Sequence, residues 1–403
     1  MRKIALAVAL AVTGCGQDAE LNKQAQRMAQ QYLLVDTHID VPYRLNEKPA
    51  DVGMATQGGD FDYPRANRGG LNAPFMSIYI PAEMESDGSA RDYADRLIDQ
   101  VEGLVARHPD KFAIPHSVKE MERQVASGRI SLPLGMENGA AIAGDLQNLH
   151  HFAERGIRYI TLTHSKSNHI SDSSYDEQRQ WQGLSDFGKQ LVKEMNRAGV
   201  MVDVSHISDD AFWQVMEISE VPVIASHSSA RHFTPGFERN MSDEMIRALA
   251  NNGGVIMINF GSTFISEASR ESRAKIRTAT EQYMREQGLD EDSEDVKHFT
   301  ERLMEEEFVY AELDDVLDHF DHVRELVGVE HIGIGSDYDG VGDSLPTGLK
   351  DVSQYPNLIR GLLERDYSEE DVGKILGGNL VRVWRENEAY ARAKPQGAPA
   401  GTE

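Results

Sequence analysis

Histidines and carboxylates recur in this chain as short clusters suited to holding divalent metal ions. Near the front, Val35-Asp36-Thr37-His38-Ile39-Asp40 sets an imidazole and a carboxylate two residues apart, and on extended backbone both side chains point the same way. Further on come Gly135-Met136-Glu137-Asn138-Gly139, Thr161-Leu162-Thr163-His164-Ser165, Asp203-Val204-Ser205-His206-Ile207-Ser208, Ala225-Ser226-His227-Ser228-Ser229 and Gly335-Ser336-Asp337-Tyr338-Asp339-Gly340. Neutral imidazole beside carboxylate suits a hard-to-borderline divalent ion. A catalytic zinc typically takes three protein ligands and keeps one open position. This inventory exceeds that and suits two ions sharing a bridging carboxylate. In such a pair a bridging hydroxide forms from water near neutral pH and the metals polarise a carbonyl, so hydrolysis needs no side-chain nucleophile. Neither G-x-S-x-G nor G-x-x-x-x-G-K-[ST] occurs, so a serine elbow and a phosphate-cradling loop are absent.

These residues make one site only if the fold collects them. Short apolar runs fall at Tyr32–Val35, Pro74–Ile80, Ile130–Met136, Arg158–Leu162, Val200–Val204, Val221–Ala225, Val255–Asn259 and His331–Gly335. Longer amphipathic segments alternate with them, which predicts an α/β fold with a parallel sheet. Eight strands close a TIM-like (β/α)8 barrel, whose active site is built at the carboxyl ends of its strands. The first, third, fourth, fifth, sixth and eighth runs each exit into a histidine, aspartate or glutamate from the clusters above. Of 14 histidines, His38, His164, His206 and His227 have this placement, whereas His108, His150, His151, His319 and His322 fall in helical or loop segments. Asp36 and Asp203 lie within strands, where they either orient ligand imidazoles or make buried structural hydrogen bonds. Asp339 stands two residues beyond Asp337 and points the same way on extended backbone, so the eighth strand offers two carboxylates.

Helical spacing marks Ala90 to His108, with Tyr93, Leu97, Val101 and Leu104, and Ser185 to Ala198, with Phe187, Leu191, Val192 and Met195. A third helix opens at Ser242, and Gly199 and Gly253 stand where helices end. Residues 267–326 form a long charged stretch between the seventh and eighth runs, read as a helical insertion with a solvated face.

The 66 acidic residues outnumber the 41 basic ones, for a net charge of −25, which disfavours nucleic-acid partners. The first fifteen residues differ from the rest: Arg2 and Lys3, the apolar run Ile4 to Val12, then Thr13-Gly14-Cys15. This is the pattern of a bacterial lipoprotein signal with Cys15 as the lipidated residue. It predicts a cell-envelope protein held to the membrane by an N-terminal lipid. Cys15 is the sole cysteine. Once it carries lipid, disulfides, cysteine nucleophiles and thiolate metal sites are all excluded. The expected organisation is a signal at 1–15, a polar tether at 16–30, one catalytic domain at 31–390 and a disordered tail at 391–403, rich in Pro and Gly.

Together, Asp36-Thr37-His38-Ile39-Asp40-Val41-Pro42, the Glu137 turn, Leu162-Thr163-His164-Ser165, Asp203-Val204-Ser205-His206, Ser226-His227-Ser228-Ser229-Ala230, Arg239-Asn240 and Gly335-Ser336-Asp337-Tyr338-Asp339-Gly340-Val341 resemble the membrane (renal) dipeptidase family of zinc peptidases. The match runs in the family's order from about Leu33 to about Glu386. The resemblance implies a (β/α)8 barrel with two zinc ions per subunit, one on His38 and Asp40, the other on His206 and His227, bridged by Glu137. It also implies Asp337 as acid/base, His164 as the group polarising the substrate, and Arg239 as the anchor of the substrate carboxylate. The chemistry is consistent: an ionised aspartate accepts a proton, an imidazole donates to an oxyanion, and a guanidinium forks a carboxylate. The expected substrate is a dipeptide, L-Xaa followed by an L- or D-residue. The animal enzymes carry disulfides and a lipid anchor at the opposite end, so only a noncovalent homodimer remains open to this chain. The segment Lys166 to Gln182 departs from the animal pattern and is expected to line the substrate pocket. Two alternatives stay in view: another binuclear amidohydrolase acting on a cyclic amide, lactone or phosphoester, and a catalytically dead peptide-binding lipoprotein.

Overall fold

Each apolar run becomes a parallel strand, with its neighbours in sequence as its neighbours in space. The computed structural model describes residues 18–394, so Cys15 and residues 395–403 lie outside the described part. The barrel strands are β1 (Val35–Ile39), β2 (Ala73–Tyr79), β3 (Leu134–Glu137), β4 (Ile157–Thr161), β5 (Met201–Asp203), β6 (Ile224–Ser228), β7 (Val255–Ile258) and β8 (Ile332–Ile334), hydrogen-bonded in that order. The ring closes through a parallel bridge between Ile39 and Tyr338. There the Asp337 N–H donates to His38 O at 3.1 Å and the Asp40 N–H to Tyr338 O at 2.9 Å.

Three strands lie elsewhere than their hydrophobicity suggests. The first was expected at Tyr32–Val35 but spans Val35–Ile39. The Leu34 amide bonds the Asn72 side chain instead, while polar β1 residues find partners inside the barrel. Thr37 Oγ1 donates to Ser226 O and Ile334 O, and Asp36 accepts the His38 and Ser336 amides. The sixth moves likewise from Val221–Ala225 to Ile224–Ser228. The third run breaks at Pro133, which has no N–H to give a ladder. Ile130–Ser131 pairs with Phe112–Ala113 in a side ladder, and only Leu134–Glu137 enters the barrel.

One buried cluster joins Val35, Ala73, Phe75, Tyr159, Met201, Ile224, Val255 and Met257 to Trp384 of the last helix, Asn379–Ala393. These residues recur at period two along their strands, so they face the barrel interior, and Trp384 plugs its lower end. The larger cluster lies between the strands' outer faces and the helices. Successive helices start on serine caps, with Ser185, Ser208 and Ser242 accepting from the amides of Gly188, Ala211 and Met245. Gly199 and Gly253 follow two of them at φ of 71° and 85°.

The insertion after β7 is shorter than residues 267–326. Glu267–Gln287 and Glu294–Glu307 form a helical hairpin with its own small core of Ile276, Leu303 and Phe308. Leu313–Val327 instead buries Val316, Leu317, Phe320 and Val323 in the main core and is the barrel's own crossover to β8. Both ends of the body also reach further than expected. The stretch read as a tether is helical over residues 18–31 and buries Ala25, Met28 and Ala29. At the other end the last helix runs to Ala393, and Lys394 pairs with Glu220 at 2.7 Å. No described helix is long and apolar enough to cross a membrane.

Candidate metal centre

The carboxyl ends of β1, β3, β4, β5, β6 and β8 converge on one buried cluster. Glu137 stands at its middle. Its Oε1 lies 3.1 Å from His206 Nε2, 3.2 Å from His227 Nε2 and 3.6 Å from His164 Nε2, while its Oε2 lies 3.4 Å from His38 Nε2. One carboxylate thus faces imidazoles through both of its oxygens, with His38, Glu137 and His227 in one group of ligand atoms within 4.8 Å and Glu137, His164 and His206 in another. Asp40 adds Oδ2 at 3.4 Å from His38 Nε2. It holds the N-cap position of helix Val41–Glu47 with no side-chain bond to that helix, so its carboxylate stays available.

Strict alternation would aim His38 and His227 outward, because Val35 and Ile224 face inward. The register of β1 shifts between Asp36 and Ile39, and that of β6 between Ala225 and Ser228. Such irregularities re-aim side chains. Here they bring the two rings into a stack with centroids 3.7 Å apart.

The hydrogen bonds then fix which nitrogen faces inward. Tyr159 OH donates to Thr37 O at 2.9 Å, so it can only accept from His38 Nδ1, 2.8 Å away. Ser226 OH donates to Asp203 Oδ2 at 2.6 Å, so it accepts from His227 Nδ1 at 2.7 Å. Both Nε2 lone pairs therefore point into the site, as metal-ligating histidines require. Gly135 makes room for this arrangement, since a Cβ there would fall 2.0 Å from the Tyr159 ring. His38 Nε2, Asp40 Oδ1, and the Nδ1 atoms of His164 and His206 are buried without a hydrogen-bond partner. Buried polar atoms without partners are costly, and of these His38 Nε2 and Asp40 Oδ1 are atoms that a bound divalent metal would satisfy.

The electrostatics agree with that fit. Burial, followed by the Arg239 charge at His206 and the His38 charge at His227, pushes both imidazoles well below their usual range. Burial works against ionisation of Glu137, but the surrounding imidazoles hold it well below the usual carboxylate range. Glu137, His206 and His227 are thus in the deprotonated forms that bind metal, whereas His38, against its burial, is held well above the usual imidazole range by Tyr159 and the Glu137 and Asp40 carboxylates and has a proton to lose on binding. Asp337 differs: burial first, then the Asp40 charge, pushes it up to about 7. Its Oδ2 accepts from Asn259 Nδ2 at 2.8 Å. Gly340 leaves the space between Asp337 and Asp40, as a Cβ there would meet both carboxylates at 2.2 Å. His206, Asp337 and Asp339 have φ of 69°, 64° and 66°, and such strain in non-glycine residues gathers where a function holds it.

Asp339, the second carboxylate at the eighth strand, turns away from the site. It accepts the Asp60 amide at 2.6 Å and pairs with Arg44 Nε at 3.0 Å. Asp36 touches no imidazole and binds backbone and Tyr355. Asp203 does reach an imidazole of the cluster, His227, through Ser226. Arg239 is 3% exposed. Its Nη1 donates to Ser228 Oγ and its Nη2 to His227 O, both at 2.7 Å, and its Nε has no partner.

The segment Lys166 to Gln182 is fastened to the site's own backbone: Ser173 Oγ donates to His164 O and the Ser174 N–H to His206 O. It sets Tyr175 with its ring 5.9 Å from that of His206. Sequence reasoning missed Tyr159, Ser226 and Asn259. Asn259 alone carried a signal, since it ends the seventh apolar run where the other strands end in ligands.

The model of the membrane dipeptidase family, peptidase family M19, matches residues 22–397. Dipeptidase 3 of Mus musculus is 32% identical over 380 residues, covering 92% of this chain and 68% of that protein. Among solved structures, the probable dipeptidase PvdM from Pseudomonas aeruginosa superposes with a TM-score of 0.81 at 26% identity, covering 93% of this chain and 100% of that one. A metallopeptidase from Rhodobacter sphaeroides, liganded with a phosphinate mimic of the dipeptide L-Ala-D-Ala, gives a TM-score of 0.72 at 24% identity, covering 88% of this chain and 99% of that one. At that identity it bears on the fold alone.

Proposed function

The chain belongs to the membrane dipeptidase family of metallopeptidases, and from that premise we propose that it is a two-zinc dipeptidase anchored in a bacterial envelope through lipid on Cys15. The observation that carries the two-ion reading is the straddling carboxylate of Glu137, with Oε2 toward His38 and Oε1 toward His206 and His227. His38 and Asp40 would hold one ion, His206 and His227 the other, and Glu137 would serve both. When bound, the ions acidify water and polarise the substrate carbonyl.

The remaining work falls to protein groups. Asp337 takes a proton from the attacking water and returns it to the amine as the C–N bond breaks. A buried carboxyl pushed toward neutrality by burial and Asp40 suits both directions of that transfer. His164, beside Glu137 at the β4 exit, donates to the carbonyl oxygen as negative charge develops there. Arg239 offers its free Nε–H and the unused terminal N–H groups to the substrate's terminal carboxylate. The lipid anchor and envelope location rest on the basic, apolar and cysteine order of residues 2–15.

The test joins metal analysis to a substrate panel. Protein purified without chelator is expected to hold two zinc ions per chain, to cleave L-L and L-D dipeptides, to lose activity on chelation and to regain it with zinc. Failure on every dipeptide by the zinc-loaded protein refutes the reading. Turnover of cyclic amides or lactones with no need of a free carboxylate would favour a different amidohydrolase.

A further inference from the structure

A second group of metal-ligating side chains lies outside the centre just described. His232 sits on the turn Arg231–Phe233 beyond β6, Asp243 opens helix Asp243–Asn251, and His322 lies on helix Leu313–Val327. Each offers a ligand atom, and these atoms lie within 4.8 Å of one another. We propose that His232, Asp243 and His322 form a further metal site, which takes a divalent ion of the zinc, cobalt or nickel class.

His322 and Asp243 hydrogen-bond each other, while His232 makes no side-chain hydrogen bond among the described residues. The imidazoles of His232 and His322 stack with centroids 4.4 Å apart at 24°, so their nitrogens lie side by side. His322 Nε2 is 2.8 Å from Asp243 Oδ1, and among the described residues no lysine or arginine pairs with Asp243. Arg231, the nearest arginine in sequence to His232, is already held by Asp209 at 2.6 and 2.7 Å. His319 stands close by but is not a ligand. Its Nδ1 accepts the Ala230 amide and its Nε2 donates to Ile265 O, both at 3.0 Å.

Two imidazoles and one carboxylate select borderline ions over magnesium or calcium, which prefer oxygen. His232 is exposed, so water completes the coordination and the ion exchanges more readily than one in the buried centre. Its effect is mechanical. The turn at His232 belongs to the segment that leaves β6, closes through the Ala230–Met241 bridge and carries Arg239. An ion here clips that segment to two helices, one before β7 and one before β8. The site therefore stabilises the fold and takes no part in the reaction.

The test uses the zinc-loaded holoenzyme, with His232→Ala and Asp243→Asn as separate variants. The exposed histidine tolerates truncation, and asparagine keeps the size of the aspartate. After equilibration with zinc and gel filtration, each variant is expected to carry one ion fewer per chain than wild type while keeping wild-type dipeptide turnover. The rise in Tm that added zinc gives the wild-type holoenzyme is expected to vanish in both. Equal ion content in wild type and variants, or a zinc-dependent Tm rise that persists in both, overturns the proposal. The ion count does not depend on which substrate the buried centre takes.

Discussion

Replacing Arg239 with lysine separates the recognition of a substrate carboxylate from everything else this side chain does. The guanidinium is almost fully buried, two of its nitrogens hold Ser228 Oγ and His227 O, and Nε is left without a partner. No carboxylate lies within ion-pair distance of it among the described residues, although burying an uncompensated charge costs several kcal/mol. A carboxylate on the substrate resolves that imbalance. Lysine keeps the charge but presents a point donor in place of a planar fork. Losing one of two charge-assisted hydrogen bonds costs about 1.5–3 kcal/mol, which is roughly a 10- to 150-fold fall in kcat/KM, most of it through KM. Steady-state kinetics on a dipeptide and on its C-terminal amide, for wild type and Arg239→Lys, measure this directly. The amide is expected to be a poor substrate for both proteins and nearly indifferent to the substitution. An equal fall on acid and amide refutes the anchor. A fall that tracks zinc loss refutes it too, since the substitution would then act through the Arg239 bond to His227 O.

Two further substitutions probe the groups behind the ligands. Ser226→Ala leaves the buried Nδ1–H of His227 without an acceptor and cuts its link to Asp203, so zinc affinity should fall roughly 10- to 100-fold; competition against a chromogenic chelator reads this, and unchanged affinity refutes the relay. Asp337→Asn should keep both ions and abolish turnover. In the metal-free protein it also has a pH signature. A carboxyl pushed from 3.8 to about 7 in the fold supplies stability that is present at acid pH and lost as pH rises through about 7. Asparagine has no such loss. Chelated wild type should therefore weaken relative to Asp337→Asn between pH 5 and pH 8, as read by urea midpoints, and parallel profiles would contradict the assignment.

The barrel was legible because burial on both faces forces apolar runs, and these stand out against amphipathic helices. The candidate ligands were legible because they cluster where such runs stop. The same rule misplaced β1 and β6. In both strands the last inward residues are polar: Thr37 satisfies itself across the barrel on Ser226 O, and Ser226 on Asp203 of the neighbouring strand. Hydrophobicity cannot register a strand whose inner face ends in hydroxyls and imidazoles. The residue pattern alone could not choose between Asp337 and Asp339, and only the family resemblance named Asp337. The choice depends on left-handed backbone at both residues and on Arg44 and Asp60, which draw Asp339 outward. The supports of His38 and His227 were invisible for another reason: Tyr159 and Ser226 lie on strands distant in sequence from what they hold, or on residue types too common to attract notice.

The closing seam of the barrel has a consequence for when this protein becomes active. Asp36 binds the Ser336 amide across 300 residues of chain, and Thr37 reaches Ile334 across 297. Contacts this distant in sequence form late, because the entropy of closing so long a loop must be met before they contribute. His38 and Asp40 lie on one side of that seam and Asp337 on the other. A chain still emerging from the ribosome therefore holds no assembled centre, however much of it has folded. Hydrolytic capacity arrives in a single step, with the last strand.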